Sequence, residues 1–455
     1  MKRSFTVLGL VCIFILSMLA GCGNSAPEAS SAPPADTASS EADVAASEEA
    51  ATGALPFDGV NLSILLGNDV SKTGFEAVCA LAEEKLGLTV SIEPMPTGDD
   101  GDNIVKTRLA AGEMTDMAYY IPGAKMKALN PADYFVDLSD QAFVDRLDDT
   151  YRATVTIDNA VYAIPYTSTQ AGAILYSKPL YEKYNLEIPK TWDVFLANCQ
   201  TLKDAGEVAT YGSLADKWTS QLAFLGDNYN VVNDAPDFLT DFEAGTDKYH
   251  TNPVALRSFE KLADLSSFYN EDYLAATYDD GLAAMANAEA GHWLMLTRAL
   301  SGMYELFGDQ VNEVGVFPIP GDDETNSGLT VWMPDSIMCN KASENVDAVL
   351  AFMDLYISDD GLTAYSSAVK PDGPYCVKGF DLPEDSYAGV LEMQTYFDAG
   401  NTIPAAEFMV SVKGANCEAI TQECTSGQTT GQEAAQKYDD DCYRQAVQLG
   451  LDWES

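Results

Sequence analysis

Histidine and basic residues are scarce in this 455-residue sequence. It contains only two histidines, His250 and His292, which excludes a histidine-rich metal site. Lysine and arginine number 25 against 70 aspartates and glutamates, so the formal net charge is -45 at pH 7. Such a chain repels nucleic acid and anionic lipid headgroups, and we expect neither as a partner. The excess of carboxylates indicates a well-solvated surface.

Familiar catalytic motifs are missing as well. There is no G-x-S-x-G, no H-E-x-x-H and no Gly-Lys dipeptide of a phosphate-binding loop. The segments KTG (72–74) and SFEK (258–261) match two motifs of penicillin-recognising enzymes, but in reverse order, and we interpret both as chance matches. The sequence therefore predicts no catalytic residue, no metal site and no cofactor. A glycosidase-like pair of carboxylates stays open, because 70 acidic residues guarantee many chance pairs.

The N-terminus has the pattern of a lipoprotein signal. Two basic residues precede a nearly unbroken apolar stretch over 5–20, which is typical of a secretory signal and short for a membrane span. The stretch leads into LAGC (19–22), which resembles the bacterial lipobox, in which the cysteine is acylated and the chain is cut just before it. Cys22 is the expected lipidation site, after a signal peptide over 1–21. We expect an anchored protein on the extracytoplasmic face of the cell membrane, with the lipid as its only membrane contact.

A low-complexity segment completes the N-terminal region, over 22–54. Beyond Cys22 it contains no lysine, arginine or aromatic residue, and Val44 is its only large aliphatic residue. Such a segment cannot bury enough apolar surface to offset its ordering entropy, so we expect a disordered tether with a reach of roughly 30 Å. The long tether favours a Gram-positive host. Without Cys12 and Cys22, seven of the nine cysteines remain, an odd number whose pairing stays open.

The remainder, from residue 55, is long enough for two or three lobes with cores of their own. Its first part alternates between strand-like apolar runs and amphipathic helical repeats. The predicted strands are 61–67, 88–96 and 115–121, and the predicted helices are 73–87 and 103–113. This βαβ pattern predicts an α/β lobe with a largely parallel sheet, which binds its ligand beyond the carboxyl ends of the strands.

Four segments in the middle of the chain carry a more specific pattern. They are AAGEMTD (110–116), YAIPY (162–166), LYSK (175–178) and PKTWD (189–193). In order and spacing they resemble the bacterial extracellular solute-binding proteins of family 1, the maltodextrin-binding-like class. Met114 and Thr115 stand where the family usually has a proline, and Ser177 replaces a usual asparagine. Further segments continue the match, at 279–296, 314–321, 342–361 and 417–442.

Local signals agree with this resemblance. Thr191 is predicted to cap a helix, and the following Trp192 is predicted to pack in the core. Thr430 and Glu433 have the spacing of a capping box at the start of a C-terminal helix.

The resemblance implies a two-lobe α/β fold of the periplasmic-binding-protein type II, with hinge strands between lobes that close on a solute. Lobe one is expected to comprise roughly 55–165 and 292–335, and lobe two roughly 167–290 and 336–455. The resemblance also implies the substrate-binding component of an ABC importer. Such a protein presents its solute to the permease subunits and catalyses nothing.

A sugar or oligosaccharide is the predicted solute, because aromatic faces pack against sugar C–H surfaces and planar polar groups bind hydroxyls. The predicted ligand contacts are Asn68, Asp69, Tyr120, Tyr166, Trp218, Trp293, Arg298 and Trp332. Trp218 and Trp332 lie at predicted lobe edges and are the preferred stacking residues. Asp116 either binds the ligand or stabilises its own turn. The alternatives are a binding protein for a peptide, a polyamine or a glycerol-phosphate, and a surface glycoside hydrolase.

Overall fold

The computed structural model describes residues 55–453, except 69 and 97. Three predicted features therefore lie outside the described residues: the signal peptide, the lipidation site at Cys22 and the tether. The seven cysteines within the described residues are free thiols. No helix in this part of the chain combines the length and the apolar character that crossing a membrane requires.

Helices and strands alternate along the described chain. The strands are β1 Asn61–Gly67, β2 Thr89–Met95, β3 Met117–Tyr120, β4 Thr156–Ile157, β5 Ala160–Val161, β6 Ala163–Pro165, β7 Gln170–Ser177, β8 Val208–Thr210, β9 Ala290–Leu296, β10 Val314–Pro318, β11 Leu329–Trp332, β12 Ser336–Cys339 and β13 Thr402–Pro404. The α-helices are α1 Thr73–Leu86, α2 Asp99–Ala111, α3 Ala124–Lys127, α4 Pro131–Tyr134, α5 Asp149–Val155, α6 Lys178–Tyr184, α7 Trp192–Asp204, α8 Leu222–Gly226, α9 Asn228–Asp234, α10 Phe238–Glu243, α11 Pro253–Leu265, α12 Tyr278–Ala286, α13 Ala299–Phe307, α14 Val346–Tyr356, α15 Asp359–Ala368, α16 Ala388–Asp398, α17 Ala406–Met409, α18 Cys417–Thr425 and α19 Gly431–Leu449. Short 3-10 helices occur at Ala142–Arg146, Lys217–Gln221 and Gly308–Glu313.

The first large sheet forms the centre of one lobe, in the strand order β2-β1-β3-β12-β6. β1 pairs in parallel with β2 and β3, whereas β12 is antiparallel to β3 and β6. α1 connects β1 to β2 and buries Phe75 and Val78 in the core. It ends at Gly87, whose φ of 80° permits the left-handed cap. The predicted βαβ unit is confirmed.

The second large sheet has the order β13-β11-β7-β9-β8, and β10 also pairs with β7. β7 is antiparallel to β9, β10 and β11. α7 begins after Thr191, whose hydroxyl accepts a hydrogen bond from the backbone N–H of Val194 at 3.4 Å. Trp192 is fully buried, and its Nε1 donates to Asp264 at 2.9 Å. Thr191 therefore caps the helix and Trp192 packs in the core, as predicted.

The chain crosses between the two sheets three times, over 166–169, 333–335 and 369–387. α14 and α15 pack on α1 beside the first sheet, and α16 packs on β10 of the second. This division differs from the predicted lobe boundaries. The segment 292–335, predicted to return to lobe one, contains β10, β11 and most of β9, which belong to the second sheet, whereas 336–368 returns to the first. A strand's apolar pattern shows that it is buried but does not specify the strand with which it pairs.

The SFEK segment has a structural role in the second lobe. Ser258 Oγ and Lys261 Nζ both contact the buried carboxylate of Asp227, at 2.7 Å and 2.6 Å. Lys261 also donates to the carbonyl oxygen of Pro320 at 2.8 Å. The motif therefore forms a buried ion pair that joins α11 to the segment between α8 and α9.

Candidate functional site

A cavity of about 830 Å³ lies between the two lobes. Its first-lobe wall includes Ser71, from the loop that follows β1, and Tyr120, the last residue of β3. Its second-lobe wall includes Tyr278 of α12 and Ser301 of α13, and residues of all three crossing segments, among them 166–168, 335 and 369–372, also line it. The carboxyl ends of the parallel strands open into this cavity, where an α/β sheet is expected to bind its ligand.

Tyrosines dominate the aromatic lining of the cavity. They are Tyr119, Tyr120, Tyr166, Tyr278 and Tyr365. The Tyr166 hydroxyl donates to the carbonyl oxygen of Ser71 at 2.8 Å, and that of Tyr365 donates to Thr167 Oγ1 at 2.9 Å. Burial raises the pKa of Tyr166 and Tyr278 above the ordinary tyrosine value. The hydroxyls of Tyr166 and Tyr278 therefore stay protonated at neutral pH. The two hydrogen bonds hold the rings of Tyr166 and Tyr365 in fixed positions.

Two of the predicted tryptophans lie behind this lining. The rings of Trp218 and Trp293 both pack against Tyr278, each with its centroid 5.5 Å from that of the tyrosine. Trp293 is 1% exposed, and its Nε1 donates to Ser213 Oγ at 3.3 Å. It is buried because β9 is an interior strand, between β7 and β8. The structure therefore places both tryptophans against a lining residue and outside the lining of the central cavity, and the burial of Trp293 contradicts the predicted direct contact for that residue.

The other predicted residues divide between the cavity and the surface. Those that line the central cavity are Tyr120, Tyr166 and Arg298. Asn68 is exposed at the end of β1, outside the cavity lining, and Asp69 lies outside the described residues. Trp332 lines an adjoining cavity.

Asp116 stabilises its turn, at the sheet edge opposite the cavity. Its carboxylate accepts hydrogen bonds from the backbone N–H and hydroxyl of Ser63, at 2.8 Å and 2.7 Å, and from the hydroxyl of Ser343 at 2.5 Å. Burial alone would raise the pKa of Asp116, but the bonds from Ser343 and Ser63 outweigh burial and lower it. Of the two roles considered for Asp116, the structure supports the structural one.

Carboxyl groups outnumber basic groups in the central cavity. The acidic lining residues are Asp102, Asp279, Glu305, Asp335 and Asp372, and the basic ones are Arg298 and Lys370. Burial raises the pKa of Asp372 to about 7, against the lowering effects of a hydrogen bond from Ser301 and the charge of Arg298. Its Oδ1 has no hydrogen-bond partner among the described residues. Near neutral pH this carboxyl group is therefore able either to donate or to accept a hydrogen bond.

Tyr278, Tyr365 and Asp372 are lining residues that sequence reasoning missed. The sequence contains one signal near Tyr278: Thr277 and Asp280 have the spacing of a capping box, which predicts that α12 begins at this tyrosine. Tyr365 and Asp372 had none. They reach the cavity only because the chain returns to the first lobe at β12, which the predicted lobe boundaries did not include.

Two further cavities of about 740 Å³ each adjoin the central one. One contains Trp332 and shares Tyr120 and Gln170 with the central cavity. The other contains Tyr304 and shares Ser301 with it. The cleft between the lobes therefore extends beyond the central cavity on both sides.

Comparison with known proteins gives both a family and curated relatives. The family model described as bacterial extracellular solute-binding protein matches residues 69–362. The chain is 25% identical over 253 residues to the multiple sugar-binding protein of Streptococcus mutans. The aligned region covers 53% of this chain and 58% of that relative, so the chain spans little more than half of the relative's length.

Solved structures share the architecture at lower identity. The apo form of RafE from Streptococcus pneumoniae aligns with a TM-score of 0.71 and 17% identity, over 85% of this chain and 97% of that one. A sugar transporter of Bacillus licheniformis in complex with stachyose aligns with a TM-score of 0.60 and 20% identity, over 85% of this chain and 100% of that one. The predicted two-lobe solute-binding fold is confirmed by these likenesses.

Proposed function

The chain belongs to the family of bacterial extracellular solute-binding proteins, and we propose that it is the carbohydrate-binding component of an ABC importer. In this proposal the two lobes close on a saccharide in the cleft. The closed protein then presents the sugar to the permease subunits of the transporter, without changing it chemically.

The tyrosine-rich central cavity is the observation that carries the proposal. Tyr278 is half-buried and offers an apolar ring face together with a protonated hydroxyl, which suits a ligand that has both C–H surfaces and hydroxyl groups. Arg298 and Asp372 add planar polar groups for the hydroxyls of a sugar. The named ligands of the Streptococcus mutans relative and of the Bacillus licheniformis structure support the same class.

The charge of the central cavity distinguishes between two alternative ligands, a glycerol-phosphate and a polyamine. Five carboxyl groups against two basic groups repel a phosphate, which disfavours a glycerol-phosphate ligand. The same excess of carboxyl groups would attract a polyamine. A polyamine is therefore the second candidate ligand.

The proposal includes a lipid anchor at Cys22, on the extracytoplasmic face of the membrane of a Gram-positive host. Its support is the sequence alone: the signal-like residues 1–21, the LAGC segment and the polar residues up to 54. Replacing Cys22 by alanine should move the protein from the membrane fraction into the medium. Mass spectrometry should find acyl chains on the N-terminal peptide of the wild type, and an unmodified, membrane-free wild type would refute the anchor.

A thermal-shift screen tests the ligand class. The purified protein is melted with mono- and oligosaccharides and, in parallel, with peptides, polyamines and glycerol 3-phosphate. A ligand at 100 times its Kd stabilises the native state by about 2.7 kcal/mol, which raises the unfolding midpoint. We expect saccharides to raise it. Tyr278→Ala should weaken sugar binding about tenfold, because it removes an aromatic face.

The screen also identifies the competing functions. A flat saccharide panel with a polyamine hit would replace carbohydrate by the second candidate. Conversion of an oligosaccharide to shorter sugars, followed by chromatography, would instead indicate the surface glycoside hydrolase considered above.

A further inference from the structure

Residues 402–408 of the second lobe touch the first lobe outside the crossing segments. The Oγ1 atoms of Thr150 in α5 and Thr402 in β13 lie 2.8 Å apart, which is hydrogen-bond distance. The backbone of Gly123 also approaches that of Phe408 in α17, because a Cβ at Gly123 would stand 2.1 Å from the Phe408 carbonyl oxygen. We call these two residue pairs the lobe contact.

The first-lobe side of the lobe contact is firmly held. The backbone N–H of Gly123 donates to the carbonyl oxygen of Thr154 at 2.9 Å, so Gly123 is attached to α5. α5 is in turn attached to the first sheet, since Tyr151 is fully buried and its hydroxyl lies 2.7 Å from Ser336 Oγ of β12. Gly123 and α5 are therefore expected to move with the first lobe.

The second-lobe side is held as well. β13 pairs with β11, and the backbone N–H of Ala405 donates to the carbonyl oxygen of Val331 at 2.9 Å. Asn228 Nδ2 donates to the carbonyl oxygen of Pro404 at 2.9 Å. The segment 402–408 is therefore expected to move with the second lobe.

The lobe contact lies beside the crossing segment 333–335. This segment leaves the second lobe from β11, which pairs with β13, and it enters the first lobe at Ser336, which contacts α5 through Tyr151. The elements that carry Thr150 and Thr402 are thus neighbours of its two ends. In a hinge rotation the displacement of an atom grows with its distance from the axis, so atoms beside a crossing segment move least.

We propose that the lobe contact is a fixed pivot, about which the lobes turn when the cleft closes and which stays formed in the open and the closed protein. Gly123 has no side chain, so its backbone can change its angle to Phe408 without a clash. The hydroxyls of Thr150 and Thr402 keep their hydrogen bond during the rotation. The inference rests on the proposed function, because it presupposes that the lobes close on a ligand. It goes further in assigning a non-covalent support of the hinge to named residues outside the central cavity.

A disulfide across the lobe contact tests the pivot. Thr150→Cys and Thr402→Cys together place two thiols where the hydroxyl oxygens lie 2.8 Å apart, close to the S–S length of about 2.0 Å. Oxygen with copper phenanthroline oxidises them to one disulfide, and the dioxygen takes two electrons and two protons to become hydrogen peroxide. We expect the wild type to bind at least one of raffinose, stachyose, maltotetraose and xylotetraose. The cross-linked protein should bind the same sugar with a Kd within about twofold of the wild-type value.

Small-angle X-ray scattering shows whether the cross-linked lobes still close. The sugar should reduce the radius of gyration equally in the wild type and in the cross-linked protein. A cross-link that weakens binding by about tenfold or more, or that abolishes this reduction, overturns the pivot, because the contact must then separate on closure. A pair that does not cross-link, or a wild type that binds sugar without becoming more compact, also overturns it. The single variants Thr150→Cys and Thr402→Cys control for the substitutions, and dithiothreitol should reverse the cross-link.

A pair of glycine variants tests the backbone part of the lobe contact. Gly123 and Gly112 have φ values of 76° and 69°, so alanine strains the backbone similarly at both positions. A Cβ at Gly112 meets nothing within 4 Å, whereas a Cβ at Gly123 meets the other lobe. Gly123→Ala should weaken sugar binding by about threefold or more and change the radius of gyration of the ligand-free protein. Gly112→Ala is the matched control and should change neither, and equal effects of the two variants would overturn the pivot.

The outcomes distinguish the inference from the proposed function. Sugar binding by the wild type that is lost on cross-linking overturns the inference and leaves the proposed function intact. Binding of spermidine alone replaces carbohydrate as the ligand class, and the same cross-link is then tested with spermidine. No wild-type binding to any of these ligands overturns the proposed function, and the inference with it.

Discussion

His292 should make the stability of the second lobe depend on pH. The imidazole is fully buried; its Nε2 lies 2.7 Å from the Tyr181 hydroxyl and its Nδ1 lies 2.8 Å from the carbonyl oxygen of Ala209. A neutral ring satisfies both partners if Nδ1–H donates to Ala209 and Nε2 accepts from Tyr181. Burial lowers the pKa of His292 from its ordinary 6.5 to about 4. The native state therefore excludes a proton that the unfolded chain binds.

The size of the effect follows from the two pKa values. Because the unfolded state binds more protons between pH 6.5 and about 4, the free energy of unfolding falls as the pH falls through this window. A difference of roughly 2.5 pKa units corresponds to about 3.4 kcal/mol in total. About 1.4 kcal/mol of this is already lost at pH 5.5.

Urea unfolding at pH 7.5, 6.5, 5.5 and 4.5 measures this contribution. Glutamine at position 292 does not titrate, so the stability advantage of the wild type over His292→Gln should shrink by about 1.4 kcal/mol between pH 7.5 and 5.5. The 70 acidic residues are common to both proteins, and their contributions cancel in the difference. A difference that stays constant across the pH range would refute the reasoning.

Three further substitutions test other parts of the structure. Asp372→Asn should raise the thermal midpoint more at pH 8 than at pH 4.5. Folding raises the pKa of Asp372 from 3.8 to about 7, so the wild type loses stability as the pH rises through this window, and asparagine removes that loss. Equal gains at both pH values would contradict this. Asp227→Asn should lower the free energy of unfolding in urea by about 3–5 kcal/mol, because Lys261 stays buried without its carboxylate partner. A loss below about 1 kcal/mol would show that the pair is dispensable. Gly172→Ala should displace the Trp332 ring, and we expect a shifted tryptophan emission; unchanged emission would refute the contact.

Local features of the sequence predicted the fold well. The end of α1 at Gly87, the cap at Thr191 and the capping box of Thr430 and Glu433 all depend on residues close together in the chain, and all are confirmed. The position of the cleft also followed, because parallel strands direct their carboxyl ends to one edge of a sheet. Tyr120, predicted in this way as a ligand contact, lines the central cavity.

Long-range pairing was the part that the sequence did not reveal. β9, β10 and β11 have the apolar composition that buried strands of either sheet would have. Only the structure shows that they pair with β7. Trp293 was predicted in the cleft because aromatic residues suit both a sugar site and a core, and its strand proved to be interior. Tyr365 and Asp372 could not be found, since their place in the cleft depends on the return of the chain at β12.

The position of β12 also has a consequence for the order of folding. Its residues 336–339 lie between β3 and β6, although they follow β6 by about 170 residues in the sequence. The first sheet cannot be completed while only the N-terminal half of the chain has been synthesised, because β3 and β6 have no direct pairing to replace β12. Such distant contacts slow folding, so β6 joins the first sheet only after residues 336–339 are available to pair with it.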